Sequence, residues 1–297
     1  MPRAARAYVT LVFLGASACA INIDREGYIE RDEKRFPAET ALELNLYTFD
    51  GAIEVRAWDK PEIVVQIEKR GRDKDAVAKI EIVAERTDNR IRIEARRNGG
   101  NTGLIHFSSW PSPSAKFIAN VPRKTNLVLR SGDGSLLAER VEGRLELRTG
   151  DGSIRAVEIG GELLAESGDG SIALEEVSGR VEARTSDGSV RITGSPSVLR
   201  ARSGDGSIVL RIRRGAEMSE DWMVATGDGS VSVELPDGFN ADIEADPGSD
   251  GRARSEMKLA NSSGGTRDDR KLRGRLGQGG HLFSLRTGDG TIRLMNY

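Results

Sequence analysis

The chain has 297 residues, with 44 Lys+Arg against 46 Asp+Glu and a formal net charge of −2. That balance argues against an overall basic nucleic-acid binder. Two histidines and one cysteine exclude an intrachain disulfide framework and any Cys/His zinc cluster. Glycine is abundant at 35 residues, about 12% against an average of about 7%, and its placement carries most of the information.

Residues 1–18 read as a secretory signal peptide. Arg3 and Arg6 precede the apolar run Ala7–Ala18, and Ala16-Ser17-Ala18 places small residues before Cys19. The run is too short for a comfortable transmembrane helix. The only cysteine of the chain thus stands at the cleavage point, the arrangement of a bacterial lipoprotein signal. Ala16 stands where leucine is commonest in such signals. Cys19 is therefore the expected lipidation site. Plain secretion and an uncleaved anchor are the competing readings. Residues 19–40 are rich in charge (Asp24, Arg25, Glu26, Glu30 to Arg35) and poor in aliphatics. They read as a solvated tether.

Residues 41–130 are expected to form an N-terminal β cap. Leu44, Leu46 and Thr48 precede Asp50, and Ile53 and Val55 follow it. Glu62–Lys69 reads as a strand, and residues 73–78 as a helical turn or two. Ile80-Ile82-Ala84 and Ile91-Ile93-Ala95 alternate around Asp88-Asn89 as a hairpin.

Residues 131–297 are dominated by self-similarity. Gly-Asp-Gly-Ser or a near variant recurs at a constant step, at Asp133, Asp151, Asp169, Asp187 and Asp205. It returns at Asp228 and Asp289. Six residues before these aspartates stand Leu127, Leu145, Leu163, Val181, Leu199, Trp222 and Phe283. Columns at −4, +3 and +5 are likewise apolar. Every copy has Ser or Thr at −2. Period-2 alternation gives two strands per repeat with one face buried. A lone 18-residue unit buries too few aliphatics to offset its ordering entropy, so neighbouring copies must supply the missing contacts. The chain therefore reads as all-β, a β-solenoid of stacked 18-residue repeats behind the β cap. An antiparallel meander with Asp-Gly hairpin turns competes, and the unbroken hydroxyl column favours stacking. Residues 261–280, polar and Gly-rich, read as an exposed loop.

The segment Leu44–Glu68, LNLYTFDGAIEVRAWDKPEIVVQIE, resembles the opening strands of the bacterial putative-adhesin family. The R-S/T-G-D-G-S-I units and the closing FSLRTGDGTIRL are similar to its body. The resemblance spans about residues 41–297. It implies an envelope β-repeat domain of unknown function and a cell-surface location, with no catalytic residues to transfer.

Three outward or corner features carry possible chemistry. The aspartate row reads as turn caps accepting N–H bonds from residues such as Ser153, Ser171 and Ser189. A calcium ladder is the minor alternative, because no second carboxylate accompanies each aspartate. The −3 column holds Arg130, Arg148, Arg184, Arg202 and Arg286, interrupted by Glu166 and Ala225. It would suit an anionic envelope glycan or lipid headgroup. Glu146 and Glu182 in the adjacent column can pair with it instead, leaving a solvated face. The hydroxyl column is expected to satisfy turn backbone groups. No nucleophile–base set or cofactor motif stands out. The expected role is a non-enzymatic, exported envelope protein, structural or adhesin-like and lipid-anchored. It is periplasmic or secreted if unlipidated. Its partner is an envelope or surface component, a polysaccharide being one class, with no cofactor, no metal and no nucleic acid. A glycan-headgroup binding module and a carbohydrate-active enzyme are the alternatives.

Overall fold

The structure, a computed structural model, describes residues 22–24, 27–38, 42–98, 112–263 and 271–297. Cys19 and the signal segment lie outside the described residues. The N-terminal part contains β1 (Asn22–Asp24), β2 (Gly27–Pro37), β3 (Glu43–Thr48), β4 (Ile53–Trp58), β5 (Glu62–Gly71), α1 (Lys74–Ala78), β6 (Ile80–Thr87), β7 (Arg90–Arg97) and β8 (Ser114–Pro122). The repeats form β9 (Asn126–Ser131), β10 (Leu136–Glu139), β11 (Glu142–Thr149), β12 (Ile154–Val157), β13 (Gly160–Ser167), β14 (Ile172–Thr185), β15 (Val190–Ser203), β16 (Ile208–Ile212), β17 (Trp222–Thr226) and β18 (Val231–Leu235). Then come β19 (Ala241–Asp246), β20 (Arg252–Ser255), β21 (Ala260–Ser263), β22 (Leu272–Leu276), β23 (Leu282–Thr287) and β24 (Thr291–Asn296).

The protein is all-β, and its strands belong to one hydrogen-bonded sheet that folds over at the Gly-Asp-Gly corners. Equivalent residues of successive repeats are direct parallel partners: Leu145 pairs with Leu127 and Leu163, and Ile154 with Leu136 and Ile172. The antiparallel meander is thereby excluded for the repeats. Before the corner, β7, β3, β9, β11, β13, β14, β15, β17, β23 and β19 run parallel in that spatial order. After the corner, β8, β4, β10, β12, β14, β15, β16, β18, β24 and β20 do the same. Both apolar faces contribute to one continuous core, from Leu44 and Ile53 to Phe283 and Leu294.

Space and sequence part company at both ends. The copy at Asp50 stacks directly on that at Asp133, through Leu46–Leu129, Thr48–Ser131 and Ile53–Leu136. The last copy, β23–β24, inserts between β17–β18 and β19–β20. β19 and β20 thus run ahead to build the outermost rung before the chain returns. The apolar columns dictate this order: Trp222 meets Phe283, which meets Ile243.

Three expectations change. The charged tether contains a strand: β2 runs antiparallel to β5 over Tyr28–Gly71 to Pro37–Glu62. Its charges alternate across that ladder and find partners, Arg31 with Glu68 at 2.9 Å and Glu30 with Lys69 at 2.5 Å. High charge density thus decorates a paired strand. The expected loop at 261–280 holds β22, antiparallel to β19, with Arg273 and Arg275 bound to Glu244 and Asp242. The division drawn at residue 130 falls inside β9, whose two sides share the core.

A second corner escaped the columns read from the sequence. Arg140, Glu158 and Glu176 adopt positive φ of 60°, 55° and 52°. That conformation is costly for non-glycine residues. Each is followed by a fully buried aliphatic, Val141, Ile159 or Val177. This repeating apolar column plugs the far end of each rung.

Candidate binding surface

The Gly-Asp-Gly corner explains its own composition. The second glycine lies against the preceding rung's backbone. A Cβ on Gly152, Gly170, Gly188 or Gly206 would sit 2.0–2.2 Å from a carbonyl oxygen one rung back. The first glycine is less confined, with 2.6 Å at Gly150 and Gly168, and Ser186 replaces it in one copy. Below the corner, each Ser/Thr hydroxyl joins two rungs. Ser167 Oγ donates to Gly152 O at 2.9 Å and accepts from Gly170 N at 3.0 Å. Thr185 and Ser203 repeat the pattern. These hydroxyls are 7–8% exposed, so each satisfies backbone groups shielded from water.

That arrangement overturns the turn-cap role expected of the aspartates. Among the described residues, Asp151, Asp169 and Asp187 accept no hydrogen bond from the corner, whose glycine N–H groups go to the hydroxyl column and to inter-rung carbonyls, as in Gly168 N to Gly150 O at 2.6 Å. Asp133, Asp151, Asp169, Asp187 and Asp205 point to solvent as an exposed row. At the end of the row, Asp50 has its pKa raised, by burial first and by Asp133 second. Among the described residues no cluster of three or more His, Cys, Asp or Glu is arranged to hold a metal.

The structure brings Arg130, Arg148, Arg184 and Arg202 into one outward column. Arg130 partners Arg148, and Arg184 partners Arg202, in register, with Glu166 between Arg148 and Arg184. Three of the four are tied to glutamates. Arg130 contacts Glu146 at 2.6 Å, and Arg148 contacts Glu166 at 2.8 Å and Glu146 at 3.4 Å. Arg184 contacts Glu166 at 3.1 Å and Glu182. The hydrogen bond to Glu146 raises the Arg130 pKa above its usual value. This zigzag of alternating charge covers the outer face of β9, β11, β13 and the adjoining part of β14.

The pattern changes at β15. Arg202 donates only to Met223 Sδ, at 3.3 Å. Arg200 and Arg286, its neighbours on β15 and β23, have no ion pair among the described residues. Sequence reasoning placed Arg286 in the −3 column but missed Arg200, and it did not bring Arg286 beside Arg202, because their copies, at Asp289 and Asp205, are far apart in the chain. The signal was present in the columns: Ala225 stands between Arg202 and Arg286, with Met223 and Ser284 in the adjacent row, where earlier copies carry glutamates. On its other side Arg286 has Asp246 as register neighbour. Elsewhere on this face, Asp242, Glu244, Arg273, Arg275 and Leu282 line a shallow groove. Its charges are already mutually paired.

No helix among the described residues is long and apolar enough to cross a membrane. No curated protein matches the chain. Among solved structures, the fold is similar to a putative adhesin of Bacteroides fragilis (12% identity, TM-score 0.41, covering 89% of this chain and 97% of that one). It is also similar to a putative lipid binding protein of Parabacteroides distasonis (13%, TM-score 0.46, 89% and 96%). A third is a putative cell adhesion protein of Clostridium sporogenes (13%, TM-score 0.30, 90% and 100%). The model of the Toastrack DUF4097 family matches residues 41–295, the corner repeats included, and the chain belongs to that family.

Proposed function

We propose that the protein is an exported, non-enzymatic component of the cell envelope, a β-solenoid that serves as a structural or adhesive surface. The observation that carries this reading is the pair of long parallel ladders over one continuous apolar core. They hold outward side chains in straight rows at about 4.8 Å pitch. Such a face suits an extended partner better than a small substrate. In this plan residues 1–18 are the signal peptide and Cys19 carries the lipid. β2 to β8 cap the stack that β9 to β24 continue. The outward arginine column belongs to the presented surface, Arg202 being its member without a glutamate.

Fractionation tests the location. Cys19→Ala should shift the protein from the membrane to the soluble fraction. An unmodified Cys19 by mass spectrometry, with unchanged fractionation, overturns the anchor. A glycan screen tests the role. Salt-sensitive binding without turnover supports a binding surface, and product formation on any bound glycan overturns the non-enzymatic reading.

A further inference from the structure

We infer that the outer face of β15, β17 and β23 is a docking site for an anionic lipid surface. This rests on the surface role proposed above and deepens it by naming the partner's chemistry. Three guanidinium groups, Arg200, Arg202 and Arg286, stand exposed on neighbouring rungs. Register places Arg202, Ala225 and Arg286 in one row and Arg200, Met223 and Ser284 in the next. Arg202 and Arg286 are thus two rungs apart, about 9.6 Å at the usual strand spacing, with only the small Ala225 between them.

The bordering carboxylates are committed elsewhere. Glu182, the register neighbour of Arg200, binds Arg184. Glu220 binds Arg180, Asp246 binds Lys271 at 2.7 Å, and Glu244 binds Arg273 at 2.6 Å. Asp221 accepts from the Leu282 N–H at 2.9 Å and faces His281 at 3.6 Å. Arg200 and Arg286 exert a weaker pull on Glu220 and Asp246, respectively, without pairing. The patch therefore keeps a local excess of positive charge, unlike the neutralised face over β9, β11 and β13.

Two further observations point to a ligand. Ser284 is 5% exposed and belongs to the outward row, yet its hydroxyl has no hydrogen-bond partner. Buried hydroxyls are normally paired; this one lies just beneath the patch, and an arriving oxygen reaches it only once the side chains covering it move aside. Met223 and Leu282 stay 36% exposed, and with Tyr297 they are the exposed large hydrophobics among the described residues. A soluble polyanion gains little from them. A phospholipid surface offers both phosphate oxygens for the arginines and apolar glycerol and acyl groups for Met223 and Leu282.

The test uses the full chain carrying Cys19→Ala, so that no anchor lipid contributes and every variant shares one background. Cosedimentation is measured with phosphatidylglycerol–phosphatidylcholine vesicles, with phosphatidylcholine vesicles and with dextran sulfate as a soluble polyanion. The Arg200→Gln/Arg202→Gln/Arg286→Gln variant should lose about 100-fold in affinity for the anionic vesicles, from roughly a factor of five per basic residue at a membrane surface. Arg130→Gln/Arg148→Gln/Arg184→Gln should change it less than about twofold, because those guanidiniums are already neutralised. Met223→Ser/Leu282→Ser should weaken vesicle binding and leave dextran sulfate binding unchanged. Unaltered thermal midpoints verify that the arginine triple variant is folded. Binding to dextran sulfate alone, equal loss in both arginine triples, or no difference from the parent overturns the lipid site. None of these outcomes bears on whether Cys19 anchors the wild-type chain, which the fractionation experiment decides separately.

Discussion

The central rungs and the C-terminal rungs use the same corner on different scaffolds. From Asp133 to Asp205 the copies follow one another at a constant step, and their −4 positions shrink to Ala165, Ala183 and Ala201. At the C-terminal end the spacing lapses and the core fills with aromatics. Trp222 packs at 5.3 Å from Phe283 and 5.6 Å from Phe239. Yet Thr226 and Thr287 make the same inter-rung bonds, to Gly206 O at 2.7 Å and Gly229 O at 2.6 Å, as Thr185 makes in the centre. The difference teaches that the hydroxyl-glycine corner sets register. Repeat length records only how much chain is spent between corners.

The comparison breaks most readily at the corner glycines and the aromatic core. Gly188→Ala in the centre would drive a methyl group to 2.2 Å from Gly170 O. It should cost roughly 3 kcal/mol or more by denaturant unfolding. Gly168→Ser should cost less than about 1 kcal/mol, since Ser186 already occupies the equivalent position. At the C-terminal end Trp222→Ala should cost about 3–5 kcal/mol, through the cavity left beside Phe239 and Phe283. A loss from Gly188→Ala no larger than that from Gly168→Ser would refute the close-approach account.

The hydroxyl staple should be worth the same in both regions. Thr185→Val and Thr226→Val each strand buried backbone partners and should lose about 1–3 kcal/mol. The Thr→Ser versions should stay near wild type. A Val substitution tolerated at one end only would mean that the corners are not equivalent.

Charge effects should be smaller. Glu166→Gln removes one ion-pair partner from each of Arg148 and Arg184, which keep Glu146 and Glu182, and should cost under about 1 kcal/mol, because the pairs are partly exposed. Asp169→Ala and Asp169→Asn should both lie within about 0.5 kcal/mol of wild type, as the carboxylate makes no corner bond. At the N-terminal end Asp50 and Glu94 titrate in opposite senses. Arg96 and Arg92 hold the Glu94 pKa down to about 2. Its contribution is complete above its unfolded value of 4.5 and is lost as pH falls toward 2. Burial and Asp133 raise the Asp50 pKa, so its ionisation opposes folding, and that penalty disappears as pH drops through the raised value. Asp50→Asn should therefore be neutral or slightly stabilising at pH 7. Melting curves at pH 7 and pH 3 for Glu94→Gln and Asp50→Asn check both signs.

The sequence by itself determined the repeat register and the core columns. Leu145, Leu163 and Val181 recur at a fixed offset, and one face of each strand must be buried. Parallel stacking at that offset follows because no other register aligns every apolar column at once. The inward hydroxyl column and the hairpin at Asp88-Asn89 were legible for the same local reasons. Three features depended on tertiary structure. The partners of β2 lie on β5, distant in the chain, so its charges read as solvated wherever the ladder is unknown. Corner N–H groups can donate to either an aspartate or a hydroxyl locally. The previous rung's carbonyl, which the hydroxyl reaches from inside the corner, decides between them. The basic patch joins Arg200 and Arg202 to Arg286, placed beside them when the chain returns from the outermost rung. A constant repeat offset carries no information about that return, because it arises from how the final copy fits between two rungs already built.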